Sequence, residues 1–250
     1  MKFRFVILSA GKGKRMGSEM PKTLIPIGGK SILQHLIDSV KASGVDGLPV
    51  IVTGKEREQF CDEFGEQCSY VVQQEQLGTA HAVMVAKDEV VDADAVIVLY
   101  GDHPFISASA LQELAKTHKE SGAVVTLMTA IVPSFSGWHK VFKSWGRILR
   151  DAHGHIVGIR EYRDAMESER QSKEVNPGLY CFNSKWLWEN IAQVKNFNAQ
   201  EEYYLTDLVE LAVSQGHEIA SSEIQPEESI GVNTPEELEL AKEILEKRHG

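Results

Sequence analysis

FVILSAGKGKRMGSEMPK, residues 5–22, is an apolar run that breaks into glycines and basic residues. Residues 5–8 are all apolar and predict a buried strand. Three glycines and four basic residues follow: Gly11, Gly13, Gly17, Lys12, Lys14, Arg15 and Lys22. Small residues let the backbone N–H groups of a loop approach a phosphate closely, and nearby cations neutralise its charge. The stretch therefore predicts a strand that ends in an anion-binding turn.

The charge of the chain is distributed unevenly. The first 30 residues carry seven Lys and Arg against one acid, Glu19, whereas the remainder carries 19 against 35, and the formal net charge is −10. Counterion release on nucleic acid or on an anionic membrane needs a broad basic face, which this composition does not offer. One basic loop in an acidic protein favours a small polyanion as ligand, with neither nucleic acid nor membrane as a partner.

Length and cysteine content suggest a cytoplasmic protein with one large domain. The 250 residues suffice for a substantial core. The three cysteines are few, odd in number and widely spaced (Cys61, Cys68, Cys181), which is typical of a reducing compartment. The apolar stretch after Lys2 and Arg4 ends at Leu8, too early for an export signal or a membrane span.

Strand and helix patterns alternate through the first half of the chain. Apolar runs predict strands at 3–8, 50–53, 70–73, 95–100 and 123–131, and helical patterns lie between them at 32–42, 56–63, 79–90 and 108–120. The second half predicts a hairpin at 147–159, a strand at 178–182 and helices near 186–194, 204–215 and 235–247. We therefore expect an α/β fold: a Rossmann-like mixed, mainly parallel sheet with helices on both faces, and a smaller β lobe.

Two common glycine motifs do not describe the basic loop. A dinucleotide fingerprint needs G-x-G-x-x-G, and here the third glycine, Gly17, comes one residue late. A Walker loop could end at Gly29-Lys30-Ser31, but Leu24 stands where its first glycine belongs. A plain strand-to-helix turn with a solvated basic face stays open as the alternative.

Asp102 follows the predicted strand 95–100 and is a candidate metal ligand. Ligands bind at the carboxyl ends of strands in open α/β sheets, and Mg²⁺ takes one or two protein carboxylates together with phosphate oxygens. The alternative is that Asp102 caps the helix that starts near Ser107. We expect the neighbouring His103 to be a surface or capping residue.

A weaker signal is QQEQLGTAHA, residues 73–82. Gly78 and Thr79 follow a strand and open a helix, and the Gln73 amide can both donate and accept at the edge of a nucleobase. Taken alone, this stretch is more commonly explained by a plain helix cap.

Taken together, these motifs resemble the sugar-phosphate nucleotidylyltransferase family, and within it the uridylyltransferases that form UDP-N-acetylglucosamine. The resemblance runs from about residue 5 to about residue 240 and rests on ordered blocks: LSAGKGKRM (8–16), PKTL (21–24), QQEQLGTAHA (73–82), LYGDHPFI (99–106), GRILRD (146–151), IREYRDA (159–165), EVNPGLY (174–180), NAQEEYYLTDLV (198–209) and GVNTPEEL (231–238).

The resemblance implies roles for individual residues. Catalysis would fall to Arg15, Lys22 and Asp102. Nucleotide binding would involve Leu8, Ser9, Ala10, Gly11, Gly13, Gln73, Gly78, Thr79, Tyr100 and Gly101. Sugar binding would involve Gly146, Glu161, Asn176, Tyr204 and Thr206, and Mg²⁺ would bind Asp102 and Asn233. One domain over 1–250 is implied, with 1–132 mainly nucleotide-binding, 133–232 mainly sugar-binding, 233–250 closing the fold, and no acetyltransferase β-helix domain.

The implied reaction is Mg²⁺-assisted attack of a sugar 1-phosphate on the α-phosphorus of UTP, which releases pyrophosphate. The alternatives are dTTP, CTP or GTP in place of UTP, another phosphate acceptor, or a non-catalytic nucleotide-sugar sensor. A nicotinamide dehydrogenase ranks last, because no acidic ribose anchor follows a proper glycine fingerprint.

Three departures from the family pattern lie on the sugar side. Pro177 follows Asn176 where the family has a residue with an N–H, and Glu201 replaces a usual glycine. Residues 133–146 are longer than expected and hold two tryptophans, Trp138 and Trp145. The acceptor is therefore less well defined by sequence than the nucleotide.

Overall fold

The computed structural model describes residues 1–11 and 20–249. The strands are β1 (Phe3–Ser9), β2 (Pro26–Ile27), β3 (Lys30–Ser31), β4 (Val50–Thr53), β5 (Ser69–Val72), β6 (Ala95–Tyr100), β7 (Val125–Ile131), β8 (Arg147–Arg150), β9 (Ile156–Arg160), β10 (Glu174–Val175), β11 (Tyr180–Asn183) and β12 (Ala220–Glu223).

The α-helices are α1 (Ile32–Ser43), α2 (Arg57–Phe64), α3 (Thr79–Val85), α4 (Ala108–Ser121), α5 (Glu167–Arg170), α6 (Ser184–Asn190), α7 (Asp207–Ser214), α8 (Pro226–Ser229) and α9 (Pro235–His249). Short 3₁₀ helices cover Lys22–Leu24, Gly65–Gln67, Lys87–Val90, Gly137–Ser144 and Ile191–Gln193.

One mixed sheet organises the described residues. Its ten strands run in the order β5-β4-β1-β6-β11-β7-β10-β8-β9, with β12 paired to β7, and β2 and β3 form a separate pair. Strands β5, β4, β1 and β6 are parallel, whereas β11 joins β6 in the antiparallel sense. The predicted mixed, mainly parallel α/β sheet is confirmed, and the smaller β lobe is the far end of this sheet.

Helices cover both faces of the sheet because β1 is apolar on both sides. Phe5 and Ile7 pack in the cluster that contains the buried residues of α1 and α4, whereas Val6 packs in the cluster that contains those of α3 and α7. Each of these three strand residues is fully buried. This double covering explains why residues 5–8 show a continuous apolar run and no alternation.

Strands β10 and β11 lie along the same edge of β7 but are interrupted between residues 176 and 179. Val175 pairs with Ala130, and Tyr180 pairs with Leu127. Asn176, Pro177 and Gly178 lie in this interruption and do not pair with β7; the Asn176 N–H instead donates to the Gly146 carbonyl oxygen at 3.0 Å. The fold thereby places an irregular segment beside the carboxyl end of β6.

Within the described part of the chain, no helix is both long and apolar enough to cross a membrane.

Candidate functional site

Two adjoining cavities lie at the carboxyl ends of β1 and β6. The large cavity has a volume of ≈ 730 Å³ and is lined from β1 by residues 8–11. The small cavity has a volume of ≈ 360 Å³. Its lining includes Gly146, Glu161 and Asn176, which lie at the ends of β8, β9 and β10. The two share the residues Thr79, Tyr100, Asp102, Glu202 and Asn233. A ligand with two parts could therefore span the shared wall.

Close packing between β1 and β6 brings Asp102 to this wall. The Gly101 N–H donates to the Leu8 carbonyl oxygen at 3.0 Å. A Cβ at Gly101 would lie 2.1 Å from Ser9 Oγ and 3.3 Å from the Leu8 carbonyl oxygen, so a larger residue there would force Ser9 to move. Asp102 directly follows and is 7% exposed.

The helix-capping alternative for Asp102 does not hold. The cap of α4 is Ser107, whose Oγ accepts a hydrogen bond from the Ala110 N–H at 3.2 Å. The Asp102 side chain instead points to a lysine and an asparagine from distant parts of the chain.

Lys22, Asp102 and Asn233 meet at one point. Lys22 Nζ donates to Asp102 Oδ2 and to Asn233 Oδ1, each at 2.5 Å. The two acceptors are brought together by the Val232 N–H, which donates to the Asp102 carbonyl oxygen at 2.9 Å. Burial alone would raise the pKa of the Asp102 carboxyl, but the Lys22 ammonium outweighs it and holds that pKa below its usual 3.8. Asp102 is therefore a carboxylate at neutral pH.

The donor set fits a hard divalent cation. The oxygens of Asp102 and Asn233 both lie 2.5 Å from a single positive atom, so they already converge on one cation-sized position. One carboxylate and one amide oxygen are few ligands, which matches an ion that keeps water and phosphate oxygens in its shell. Among the described residues no group of three or more His, Cys, Asp or Glu is arranged for a metal.

His103 is buried behind this pair. It is 5% exposed, and its Nε2 lies 3.4 Å from Asp102 Oδ1. Burial lowers the pKa of His103 below its usual 6.5, so the ring is neutral at pH 7. The prediction of a surface residue is wrong, because residues 229–233 cover the His103 side chain. The contact is close: a Cβ at Gly231 would lie 2.8 Å from His103 Nε2.

Part of the wall of the large cavity is built from the 73–82 stretch. Gln73 is 4% exposed, and its Nε2 donates to the Gly78 carbonyl oxygen at 3.1 Å. Gln76 Nε2 donates to the Ala10 carbonyl oxygen and joins this wall to the end of β1. Sequence reasoning missed Gln76, although it lies in the same block as Gln73.

Gly78 and Thr79 attach this wall to the segment that precedes α7. Gly78 has φ +118°, and a Cβ there would lie 2.6 Å from the Tyr203 backbone N and O. The Ala80 N–H donates to Tyr203 O at 2.9 Å, and Thr79 Oγ1 accepts from the Leu205 N–H at 2.9 Å. This wall of the large cavity is thus held to the segment that supplies Glu202 and Tyr204 to the small cavity.

Four of the five predicted sugar-binding residues line the small cavity: Gly146, Glu161, Asn176 and Tyr204. Thr206 lies behind it, 2% exposed, with Oγ1 donating to Glu161 Oε1 at 3.4 Å. Gln200, Trp145 and Ser144 also line this cavity and were not predicted. They lie at two of the three departures from the family: Ser144 and Trp145 within residues 133–146, and Gln200 next to Glu201.

Glu161 has an unusual protonation equilibrium. Burial raises its pKa to about 7, and the nearby carboxylates of Asp164 and Asp207 add to this, against the Thr206 hydroxyl. The pKa of Asp207 itself is raised to about 6, first by burial and then by repulsion from Glu210. The small cavity therefore has an acidic group that changes charge near neutral pH.

Two of the three departures have a structural account. Asn176 Oδ1 accepts from the Gly178 N–H at 3.1 Å, a turn that passes over Pro177 and needs no N–H from it. Glu201 has φ 55°, a left-handed backbone that glycine adopts without strain.

The remaining predicted positions divide into two groups. Leu8, Ser9, Ala10, Gly11 and Tyr100 line the large cavity. Gly13 and Arg15 lie outside the described residues.

Residues 5–176 match the family described as the MobA-like NTP transferase domain. The chain is 43% identical over 245 residues to the bifunctional protein GlmU of Geobacillus sp. (strain WCH70), covering 97% of this chain and 52% of that protein. It is 39% identical over 249 residues to the bifunctional protein GlmU of Brevibacillus brevis, covering 99% of this chain and 52% of that protein. The chain thus spans about half the length of these relatives.

Solved structures share the fold at low identity. A putative glucose-1-phosphate thymidylyltransferase from Bacillus anthracis, in complex with sucrose, aligns with a TM-score of 0.77 and 20% identity over 97% of this chain and 94% of that one. A UDP-glucose pyrophosphorylase in complex with UDP-glucose aligns with a TM-score of 0.77 and 17% identity, covering 99% and 100% of the two chains.

Proposed function

The chain belongs to the MobA-like NTP transferase family, and from that premise we propose that it transfers a uridylyl group from UTP to a sugar 1-phosphate. The resemblance to nucleotidylyltransferases in the sequence is confirmed by the family match and by the GlmU relatives. N-acetylglucosamine 1-phosphate is the acceptor that we propose, with UDP-N-acetylglucosamine and pyrophosphate as products. We place the reaction in the cytoplasm.

The observation that carries the proposal is the meeting of Lys22, Asp102 and Asn233 on the wall between the two cavities. In the proposed arrangement UTP occupies the large cavity and the sugar 1-phosphate occupies the small cavity. The α-phosphate would then lie at the shared wall, next to the Lys22 ammonium. Residues 1–132 would contribute mainly to the nucleotide site, 133–232 to the sugar site, and 233–250 would close the fold.

The reaction needs no general base. The second pKa of a phosphate monoester is about 6, so the sugar 1-phosphate is largely dianionic at pH 7. One of its oxygens forms a bond to the α-phosphorus, and the bond from that phosphorus to the bridging oxygen breaks, which releases pyrophosphate. No proton has to move, which explains the absence of a nucleophilic Ser or Cys among our candidates.

The task of the protein is to bring two polyanions together. Lys22 would bind the triphosphate and stabilise the charge that grows on the leaving pyrophosphate, and we assign Arg15 of the basic loop the same task. Asp102 and Asn233 would hold a divalent cation, Mg²⁺ in our proposal, which supplies charge neutralisation at the phosphates when bound. Gln73, Gln76 and the residue 8–11 backbone would contact the nucleoside.

A direct test incubates the purified protein with UTP, Mg²⁺ and N-acetylglucosamine 1-phosphate and measures both pyrophosphate and the nucleotide sugar. We expect both products in equal amounts, and neither when the acceptor or Mg²⁺ is omitted. Parallel reactions with dTTP, CTP and GTP, and with hexose 1-phosphates, test the choice of each substrate. Absence of pyrophosphate with every pair would refute transfer, and binding of UDP-N-acetylglucosamine without turnover would favour a sensor.

A further inference from the structure

Residues 133–146 form a folded part of the wall of the small cavity. Their 3₁₀ helix, Gly137–Ser144, packs through Phe142, which is fully buried. The Phe142 ring makes edge contacts with Trp138 and Trp145, with centroids 5.8 and 4.8 Å apart. The segment is thus joined to the main core and holds its aromatic residues in fixed positions.

Trp145 is the member of this segment that reaches the site. It is half-buried, and it lines both the small cavity and an adjoining outer cavity of ≈ 230 Å³ that is also lined by Tyr162, Arg163 and Glu237. Its ring centroid lies 5.7 Å from that of His103, which itself lies against Asp102. An indole at this place offers an apolar surface in a cavity whose other walls are mostly polar.

Arg147 holds the backbone of Trp145 in place through hydrogen bonds. Its side chain is fully buried, and its guanidinium donates to the carbonyl oxygens of Trp145, of Lys143 at 2.9 Å and of Arg170 at 3.3 Å. The guanidinium also lies over the rings of Phe135 and Tyr162, at 4.5 and 5.3 Å from their centroids.

Burial of an arginine costs desolvation free energy unless the N–H groups of its guanidinium are hydrogen-bonded. Here the donors hold the end of the 3₁₀ helix and the start of β8 together. The arrangement leaves the Trp145 backbone little freedom, and the contacts of its ring with Phe142 and His103 hold the indole at the cavity.

We propose that Trp145 is a specificity-determining residue for the sugar acceptor and that Arg147 is its positioning residue. The proposal rests on the proposed function, since it assigns the small cavity to the acceptor. The substrate class is a pyranose 1-phosphate that lays its C–H face on the indole and turns its hydroxyl groups to Glu161, Asn176 and Tyr204. Substituents on the far side of the ring would enter the outer cavity.

The kinetic test compares Trp145→Ala and Trp145→Phe with the wild type. We expect Trp145→Ala to raise the KM for the sugar 1-phosphate about tenfold, the size of a lost aromatic contact, with the KM for UTP changed less than twofold. Trp145→Phe keeps an aromatic face and should restore most of the affinity. Trp138→Ala removes a tryptophan of the same segment that does not line the small cavity and serves as the control. An unchanged acceptor KM in a folded Trp145→Ala protein would overturn the proposal.

A binding test does not need turnover and separates this inference from the proposed function. Sugar 1-phosphate should change the indole fluorescence of the wild type and of Trp188→Phe, but not that of Trp145→Phe. If this change is present while no nucleotide yields pyrophosphate, the transfer proposal fails, whereas the assignment of Trp145 as a contact of the sugar 1-phosphate stands. If the change persists in Trp145→Phe, the assignment fails.

The role of Arg147 is tested by the same comparison of the KM for the sugar 1-phosphate with the KM for UTP. Arg147→Lys keeps a charge but not the planar fork, and we expect it to raise the acceptor KM severalfold with the KM for UTP unchanged. If it raises both KM values together, Arg147 supports the fold as a whole and does not position Trp145. Should the variant fail to fold, the Trp145 measurements still decide the main claim.

Discussion

Lys22 Nζ lies 2.5 Å from Asp102 Oδ2, although the two residues are 80 positions apart. The same ammonium donates to Asn233 Oδ1, so it occupies the position on which both proposed metal ligands converge. A divalent cation bound there would face this positive charge until a triphosphate draws the lysine away. The relationship predicts that metal and nucleotide bind together.

Replacing Lys22 should separate metal affinity from catalysis. We expect Lys22→Met to bind Mn²⁺ about tenfold more tightly in the absence of nucleotide, because a like charge is removed at short range. Turnover should fall by about a hundredfold or more, because the charge that stabilises the leaving group is gone. Paramagnetic resonance of free Mn²⁺ measures the first effect. Lys30→Met, which removes an exposed pair with Asp38, is the control, and unchanged Mn²⁺ affinity in Lys22→Met would contradict the prediction.

Glu161 should make the stability of the protein depend on pH. Its pKa is about 7 in the folded protein against 4.5 ordinarily, so the folded state binds the proton more tightly than the unfolded state. Below about 4.5 both states are protonated; as pH rises from 4.5 to 7, only the unfolded chain releases the proton, and the folded state loses stability.

Glu161→Gln should remove this loss of stability at higher pH, because glutamine does not titrate. At pH 8 the variant should be more stable than the wild type by about 1–3 kcal/mol, and the difference should vanish near pH 4.5. Urea denaturation at both pH values measures this difference in stability. Glu189→Gln, at an exposed position, is the control. A constant difference at both pH values would show that Glu161 does not titrate as described.

Glycine at position 201 should make the folded protein more stable than glutamate does. Its φ of 55° is unfavourable for a residue with a Cβ. We expect Glu201→Gly to raise the free energy of unfolding by about 0.5–1 kcal/mol, since relief of the strain exceeds the extra entropy of glycine in the unfolded chain. Glu201→Ala keeps the Cβ and should give no such gain. Equal stabilisation by both variants would assign the effect to the lost charge.

Gly78 should tolerate no side chain, because the Tyr203 backbone stands 2.6 Å from the place of its Cβ. Gly78→Ala should cost about 2–4 kcal/mol and weaken binding at both cavities, since it separates the 73–82 wall from the segment before α7. Gly216→Ala is the matched control: its φ is also positive, at +84°, but nothing lies within 4 Å of the added Cβ. A similar cost at both glycines would mean that the contact with Tyr203 is unimportant.

Much of the sheet could be predicted because burial on both faces leaves a strong local signal. The strands predicted at 50–53 and 95–100 coincide with β4 and β6, whose side chains are almost all fully buried. The helices predicted at 32–42 and 108–120 match α1 and α4, which are capped by Ser31 and Ser107 and followed by Gly44 and Gly122. Here the local sequence and the tertiary structure favour the same conformation.

The candidate site was predictable only in part. Asp102 follows a strand that local pattern identifies, so its place at the sheet edge could be inferred. Trp145 could not be assigned in this way, because its orientation depends on Arg147 and on carbonyl groups that only the folded chain assembles. His103 was misplaced for the same reason, since the segment that covers it lies more than 120 residues later in the sequence.

The sequence by itself determined the alternation of strands and helices, the concentration of basic residues after β1 and the kinds of group available for phosphate and metal chemistry. Only the tertiary structure decided how those groups combine. It placed the ammonium of Lys22 between Asp102 and Asn233, buried Glu161 near other carboxylates so that its pKa rises to about 7, and turned an indole toward the small cavity. The physical reason is that strand and helix propensity act over a few residues, whereas electrostatic energy, desolvation and shape depend on which distant segments the fold brings within a few ångströms.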